Sequence, residues 1–561
     1  MELLEQHFDT AFSAPEGIQK LRELILTLAM QGKLVPQNPN DPPASELIRD
    51  IEAEKKRLMK EGKIKTPKPF PPIKEKERPY ALPEGWAWVR FGDVAQHNAG
   101  KTLDKGRNAG EPRRYITTSN LYWGRFELGS VRQMLIKDDE LDKCTAKKND
   151  LLICEGGEAG RAAVWPFDSD VCFQNHIHRA RFYRDIDPHF AYRFFEKLNA
   201  TGEINEHRKG VGISNMSGKA LASILFPLAP LPEQHRIVAK IDELMARCDA
   251  LEKLRVDREE KRLAVHAAAL SQLLDATGNG NTSGAWAFIT QHFGDLYAVK
   301  ENVVELRKAI LQLAVMGKLV RQDPNDPPAS ELLKEIEAAK RQLVKTGKIK
   351  APKALQEIQM DEVPYGLPAG WEWVRFGNIA FQITDGAHHT PTYISEGVPF
   401  LSVKDMSSGY LNFSETRFIS KAQHQDLIKR CYPQQGDLLL TKVGTTGIPV
   451  LVETNQEFSI FVSVALVKFP QSKVSGKYLS WLVKSPLVKK QSEDGTEGVG
   501  NKNLVLRKIS NFYLPLPSLD EQHRIVAKID KLMGLCDTLD QQIEAASSKQ
   551  TALLNTVMAQ V

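Results

Sequence analysis

Few stretches of this chain have residue types and spacing that suggest chemistry. Residues 95–102, AQHNAGKT, satisfy the loosest form of a phosphate-binding loop, in which backbone amides and a lysine cradle phosphates. That chemistry needs an apolar strand before the loop and a helix after it, whose N-terminus holds the anion. LDKGRNAGEPRR follows instead, which reads as no helix, so nucleotide binding is not expected. His176 and His178, and the adjacent His388 and His389, are metal-ligand types, yet no familiar ligand spacing joins them to Cys, Asp or Glu. Neither a Gly-x-Ser-x-Gly elbow nor a His-Glu-x-x-His pair occurs. No active site is legible.

What remains is recognition chemistry. Residues 101–114, KTLDKGRNAGEPRR, carry five basic and two acidic side chains among Gly and Asn, a basic loop suited to phosphates. Its candidates are Lys101, Lys105, Arg107, Arg113 and Arg114. Tyr115-Ile116-Thr117-Thr118-Ser119-Asn120 follows, with hydroxyl and amide groups that bond base edges. Gln174, Asn175, His176, Arg179, Arg208, Lys209 and Asn215 extend the set. A later stretch offers Thr384, Asp385, His388, His389, Thr390, Lys404, Asp405, Lys442, Thr445, Thr446, Lys502 and Asn503. Any one of these is most simply a solvated surface group; the inference rests on the set.

The elements that must position these residues are written twice. KLVPQNPNDPPASEL at 33–47 returns as KLVRQDPNDPPASEL at 318–332, and LPEGWAWVRFG at 82–92 returns as LPAGWEWVRFG at 367–377, both at an offset of 285. EQHRIVAKID at 233–242 returns at 521–530. Between these near-identical frames lie two inserts, roughly 93–230 and 378–518, that share only anchor points: NDLLICEGGEAG (149–160) opposite GDLLLTKVGTTG (436–447), and GISN (212–215) opposite GNKN (500–503). One scaffold presenting two reading heads is the expectation, against a duplicated interaction scaffold whose inserts drifted.

The frame reads as helical. Ile237, Ile241, Leu244, Cys248 and Leu251, and likewise Ile525, Ile529, Leu532, Cys536, Leu539 and Ile543, alternate by four and three residues, a heptad seam. Two such helices of about 40 residues, about 60 Å at 1.5 Å per residue, are expected to pair as an intramolecular antiparallel coiled coil. Ile18, Leu21, Ile25 and Leu28 match Val303, Leu306, Ile310 and Leu313 in a second helix that opens each half, with Gly32 and Gly317 as C-caps. Ser45 and Ser330 read as N-caps of the next helix, after the turn NDPPA. His235 and His523 are expected to cap or pack the long helix. NDPPA is similar to the Asp-Pro-Pro-aromatic loop of adenine-N6 methyltransferases, but Ala44 and Ala329 replace the ring that stacks on a flipped base. The inserts mix short β-branched and aromatic runs with Gly/Pro turns, as α/β domains do.

Composition bounds these readings. At 561 residues the chain is long enough for several domains, and 42% hydrophobic with 26% charged residues is ordinary for a globular protein. A net charge of +5 permits an acidic partner without demanding one. Six cysteines without a Cys-x-x-Cys pair point to a reducing cytoplasm, and no apolar run approaches the ~18–20 residues that span a bilayer, so no membrane partner is expected. The start, MELLEQHFDT, is acidic and lacks the order of a secretory signal.

LPEQHRIVAKID (231–242), SLDEQHRIVAKID (518–530), the GKLV…NDPPASEL segments and TDGAHHTP (384–391) resemble the specificity subunit of type I restriction–modification systems over nearly the whole chain. The resemblance implies a mixed α/β (α+β) fold with an internal pseudo-twofold repeat: two α/β target-recognition domains separated by long helices forming an antiparallel coiled coil. It implies a helical region at 1–75, recognition domains at 76–230 and 361–518, coiled-coil helices at 231–276 and 519–561, and a linker with the repeated helical region at 277–360. It further implies double-stranded DNA as ligand, bipartite and asymmetric, with two methyltransferase subunits and restriction/translocase subunits as partners. S-adenosylmethionine, ATP and Mg belong to those partners, and this chain itself is expected to be non-catalytic. Copies of GKLV open both halves, so residues 1–64 are expected to pack beside 519–561.

Overall fold

The computed structural model describes residues 12–64, 69–104, 106, 108–209, 214–275, 282–498 and 502–559, so the candidates Lys105 and Arg107 lie outside the described residues. The chain divides into two compact units, Met1–Asp257 with Ser547–Val561, and Arg258–Ala546. The boundaries fall inside the long helices Leu231–Leu273 and Leu519–Ala559, so each helix gives its start to one unit and its end to the other.

In the first unit the opening helix Gly17–Met30 buries Leu24, Ile25, Leu26, Ala29 and Met30. Its apolar stripe shares one buried cluster with the seam residues Ile237, Ile241 and Cys248, and Arg22 bonds Asp249 (2.7 Å) and Glu252 (2.8 Å) beside them. In the second unit Ile310 of the helix Lys300–Val315 clusters with Ile525, Ile529 and Cys536, and Arg307 reaches Asp537 and Asp540, both at 2.8 Å. Leu532, Leu539 and Ile543 pack on that cluster and Leu244 on the first, whereas Leu251 is exposed. Each seam shares its cluster with the opening helix of its own unit, and Ala269 and Leu270 at the end of the first long helix join the cluster of the second seam. The tail of the second long helix completes the first unit: Leu554 and Val557 bury against Phe12, Ala14 and Leu24.

Gly32 and Gly317 end the opening helices in the left-handed region (φ +66° and +68°), with Lys33 N–H on Leu28 O (2.8 Å) and Lys318 N–H on Leu313 O (2.9 Å). The serine caps are a correction. The helices run Ala44–Lys60 and Ala329–Lys345 with Pro43 and Pro328 at the cap, and Ser45 and Ser330 sit inside the first turn. The free amides of Ala44 and Ala329 are satisfied from outside, by the carbonyls of Gly85 (2.7 Å) and Gly370 (2.8 Å). His235 and His523 are exposed on the long helices rather than packed.

Every repeated motif of the frame meets at one joint. The Glu233 carboxylate, 1% exposed, accepts the Trp86 indole N–H (3.0 Å) and the Gln37 amide (2.7 Å), which also bonds Gly32 O. Gln234 beside it donates to Ala229 O (2.8 Å) and accepts the amide of Asp187 (3.1 Å), where the insert's helix Pro188–Ala200 begins. Arg236 holds Asp41 of the NDPPA turn at 2.6 Å, and Asp242 holds Arg193 of the insert helix. The second unit repeats the joint: Trp371 and Gln322 on Glu521 (2.9 and 2.7 Å), Ser475 N–H on Gln522 (2.9 Å), Arg524 on Asp326 (2.6 Å), and the Trp481 indole on Asp530 (2.8 Å).

The inserts differ in sequence and agree in topology. Each is fastened by an antiparallel pair at its entrance and exit, Ala87–Arg90 with Leu225–Leu228 and Glu372–Arg375 with Tyr513–Leu516. The first head carries an antiparallel sheet ordered 162–164, 151–154, 177–182, 95–99; the second orders 449–451, 438–441, 464–468, 382–385 identically. In each, a second sheet contains one parallel pair, Glu111–Ile116 with Val171–Phe173 and Val398–Leu401 with Ser459–Ile460. The anchor strands are apolar throughout because both faces are covered: Leu151 and Ile153 point to one core cluster, Leu152 and Cys154 to another, and Leu438 and Leu440 alternate with Leu439 the same way.

Glu233→Ala leaves the buried Trp86 indole N–H without its acceptor, at about 1–3 kcal/mol, while the exposed Gln37 amide keeps Gly32 O. Urea unfolding is expected to show the first unit destabilised by about 1–3 kcal/mol and the second unchanged, with Glu521→Ala doing the converse at lower cost because the Trp371 indole keeps Gln322 Oε1 (3.1 Å). Arg236→Ala, at a partly exposed pair, is expected to cost about 1 kcal/mol or less.

Candidate nucleic-acid interface

In both heads the loops that leave the strands are laced together by their backbones along one edge. In the first head Gln174 N–H donates to Ile116 O (3.0 Å), Lys101 N–H to Phe173 O (2.9 Å), Asn175 N–H to Lys101 O (3.0 Å), Glu155 N–H to His176 O (2.8 Å) and Met216 N–H to Glu155 O (2.8 Å). Lys209 and Asn215 exchange two further backbone bonds (2.8 and 2.9 Å). Thr117, Lys101, Gln174, Asn175, His176, Lys209 and Asn215, scattered over more than a hundred residues, are therefore neighbours. In the second head Ala387 N–H bonds Ile460 O (2.9 Å), Phe461 N–H bonds Leu401 O (2.8 Å), Lys442 N–H bonds Ser463 O (2.9 Å), Leu504 N–H bonds Lys442 O (2.7 Å) and Gly444 N–H bonds Lys502 O (2.9 Å). This gathers His388, His389, Thr390, Lys404, Lys442, Thr445, Thr446, Lys502 and Asn503.

One glycine in each head permits the lacing. A methyl on Gly100 would stand 2.1 Å from Phe173 O, and one on Gly386 1.9 Å from Ile460 O, so the loop crosses the neighbouring strand with no room for a side chain. These glycines align the heads atom by atom and show where they diverge. Glu155 and Lys442 occupy the same backbone position with opposite charge. Glu155 lies 3.8 Å from the buried His178, whose pKa burial lowers. Lys442 lies 3.0 Å from Asp385, which also accepts from His388 (2.9 Å) and Arg430. Burial alone would raise the Asp385 carboxyl, but bonds from His388 and Lys442 hold it below its ordinary value. Lys101 pairs with Glu140.

Several sequence candidates make internal bonds, and four of them, Arg179, Asn120, Asp405 and Thr384, are buried and offer almost no surface to a ligand. Arg179 is 1% exposed and donates to Asp142 O (3.0 Å) and Thr145 O (2.6 Å), and burial lowers its pKa to about 10. Asn120 and Asp405 close the turns Thr117–Asn120 and Ser402–Asp405, accepting from Thr117 N–H (3.0 Å) and Ser402 N–H (2.7 Å). Arg208 bonds Ala159 O, Asn205 and Asn199, and Thr384 is buried in its strand. Arg113 pairs with Asp138, and Thr446 bonds Thr496. Arg114, Ser119, His176, Lys209, Asn215, His389, Thr390, Lys404, Thr445 and Lys502 are exposed, and Thr118 and Asn503 partly so.

Two groups were missed. Arg161 bonds Thr118 O (2.7 Å) and stacks with Arg125 on Tyr122, while the Trp123 indole bonds Glu158 (2.6 Å); the aromatic run LYW next to the polar TTSN was the available signal. Arg430 lies in no motif, and nothing local in the sequence marks it. Among the described residues no three His, Cys, Asp or Glu side chains gather as a metal site, and no helix is long and apolar enough to cross a membrane. An open cleft of about 450 Å³ in the second unit is lined by Tyr410, Trp481, Lys484 and Asp530 and by none of these loop residues.

Comparison with known proteins agrees with this duplicated plan. A family model, the type I restriction modification DNA specificity domain, matches residues 83–259 and again 368–546. The chain is 32% identical to the type I restriction enzyme EcoAI specificity subunit of Escherichia coli, over 96% of this chain and 92% of that protein, and 31% identical to the EcoEI specificity subunit with the same coverage. The crystal structure of the HsdS subunit from Thermoanaerobacter tengcongensis is 19% identical, covering 86% of this chain and 99% of that one with a TM-score of 0.43.

Gly386→Ala forces the 386–390 loop off Ile460, at a cost of about 1–3 kcal/mol. Hydrogen exchange is expected to show the Ala387 and Phe461 amides losing protection while their counterparts at Lys101 and Gln174 keep theirs.

Proposed function

Because the chain belongs to the type I restriction–modification DNA specificity family, matched in both halves, we propose that its two heads each read one half of a split, asymmetric duplex target. The observation that carries this is the pairing of one backbone with two side-chain sets. The loop edges superpose by hydrogen bond, yet Glu155 stands where Lys442 does and Ala99 where Asp385 does. Equal scaffolds with unequal edges are what two different half-sites require. Exposed residues of the set read base edges, chiefly in the major groove, and exposed cations such as Arg114, Lys209, Lys404 and Lys502 hold phosphates.

The chain itself is non-catalytic in this reading. Two methyltransferase subunits dock on the repeated frame, restriction/translocase subunits join them, and S-adenosylmethionine, ATP and Mg act in those partners. Support comes from surface residues that neither core requires: His235 and His523, and Ala239 and Ala527, are exposed and identical in the two copies. A surface kept the same twice suits one kind of partner bound twice. Target adenines then flip into the partner's pocket rather than into this chain.

Adenine-methylation mapping in cells carrying the chain with its methyltransferase partner tests the reading. A split asymmetric motif that vanishes when the chain is deleted is expected; no motif, with the partner active and bound, would favour the scaffold alternative. In DNA binding, Lys502→Ala is expected to weaken all sequences alike and flatten the log–log salt slope by about one.

A further inference from the structure

The Asp385 cluster does more than balance charge. Asp385 is 3% exposed, and Lys442, itself buried, already neutralises it at 3.0 Å. The carboxylate nonetheless gathers two more groups whose side chains are over half exposed, His388 (2.9 Å) and Arg430. Arg430 Nη2 also lies 2.9 Å from His388 Nε2, and the Arg430 carbonyl accepts from Gln382 (3.1 Å), so backbone and guanidinium are both fixed. Among the described residues only Asp385 accepts from that guanidinium, with His388 Nε2 beside it, which leaves its other N–H groups to an incoming ligand. The cluster carries formal charge +1 with His388 neutral, at an exposed loop edge.

Resting on the DNA-reading function above, we infer that Arg430 reads a guanine in the half-site of the second head, and that Asp385 is the positioning residue that aims it. A planar fork of N–H donors matches guanine O6 and N7 in the major groove. Holding a phosphate needs charge but no fixed orientation, and flexible lysines supply it; a carboxylate that locks a guanidinium serves base readout, where angle decides. The first head has Ala99 in place of Asp385 and lacks the device, so only one half-site depends on it.

Methylation mapping of the wild-type chain beside Arg430→Ala, Arg430→Lys and Asp385→Asn, each with its methyltransferase partner, tests this. Arg430→Ala is expected to lose roughly 5- to 100-fold discrimination at one G·C pair of the second half-site and none in the first. Arg430→Lys should not restore it, and Asp385→Asn should relax the same pair. Arg430 is exposed, so its variants keep the melting temperature even if Asp385→Asn lowers it. An unchanged motif in Arg430→Ala overturns the inference. So does uniform weakening with a salt slope shallower by about one, which would make Arg430 a phosphate contact. A wild-type chain that directs no motif removes the DNA-reading function itself.

Discussion

The buried carboxylate at the start of each long helix is the constraint on which the rest depends. Burial raises the pKa of Glu233 and of Glu521, and such a group is tolerated only if its oxygens are bonded. An indole N–H and a glutamine amide bond them, drawn from two segments far away in sequence. Satisfying one carboxylate therefore fixes the helix-ending GKLV turn, the Gly-Trp turn that caps the next helix, and the first turn of the long helix against one another. The adjacent Gln234 and Gln522 then attach the insert.

That joint explains how one frame tolerates two heads. Gln234 and Gln522 bond backbone amides, which every residue but proline offers. Asp242 and Asp530 accept whatever donor the insert helix brings, a guanidinium from Arg193 in one case and an indole from Trp481 in the other. The antiparallel pairs at entrance and exit and the two-faced anchor strands are set by backbone and apolar volume. Side chains at the loop edges are left to vary, and there alone Glu155 and Lys442 carry opposite charges on matching backbones.

Much of this was legible in the sequence because repetition reveals the frame without any structure. The glycine stops at Gly32 and Gly317, the two long helices and the anchor points of the inserts follow from periodicity and from identity between halves. The capping of the second helices was not legible. A serine after Asp-Pro-Pro-Ala reads as a cap until the Gly85 carbonyl is seen to do the work. A heptad stripe states that a helix has an apolar face without naming everything that meets it, and both seams also cluster with the opening helix of their own unit. Arg179, Asn120 and Asp405 look like recognition residues because polar types serve turns and ligands equally. Arg430 became visible only once folding set it beside Asp385, 45 residues away in the chain.

The central claim is that the joint is indifferent to the head it carries. Replacing residues 93–230 with a second copy of 378–518, and mapping the methylation directed by the resulting chain, tests it most directly. The account predicts a folded chain whose methylated motif contains the second half-site twice. A chain that folds and assembles yet keeps the original motif, or one in which the second copy unfolds between intact frame segments, would contradict it.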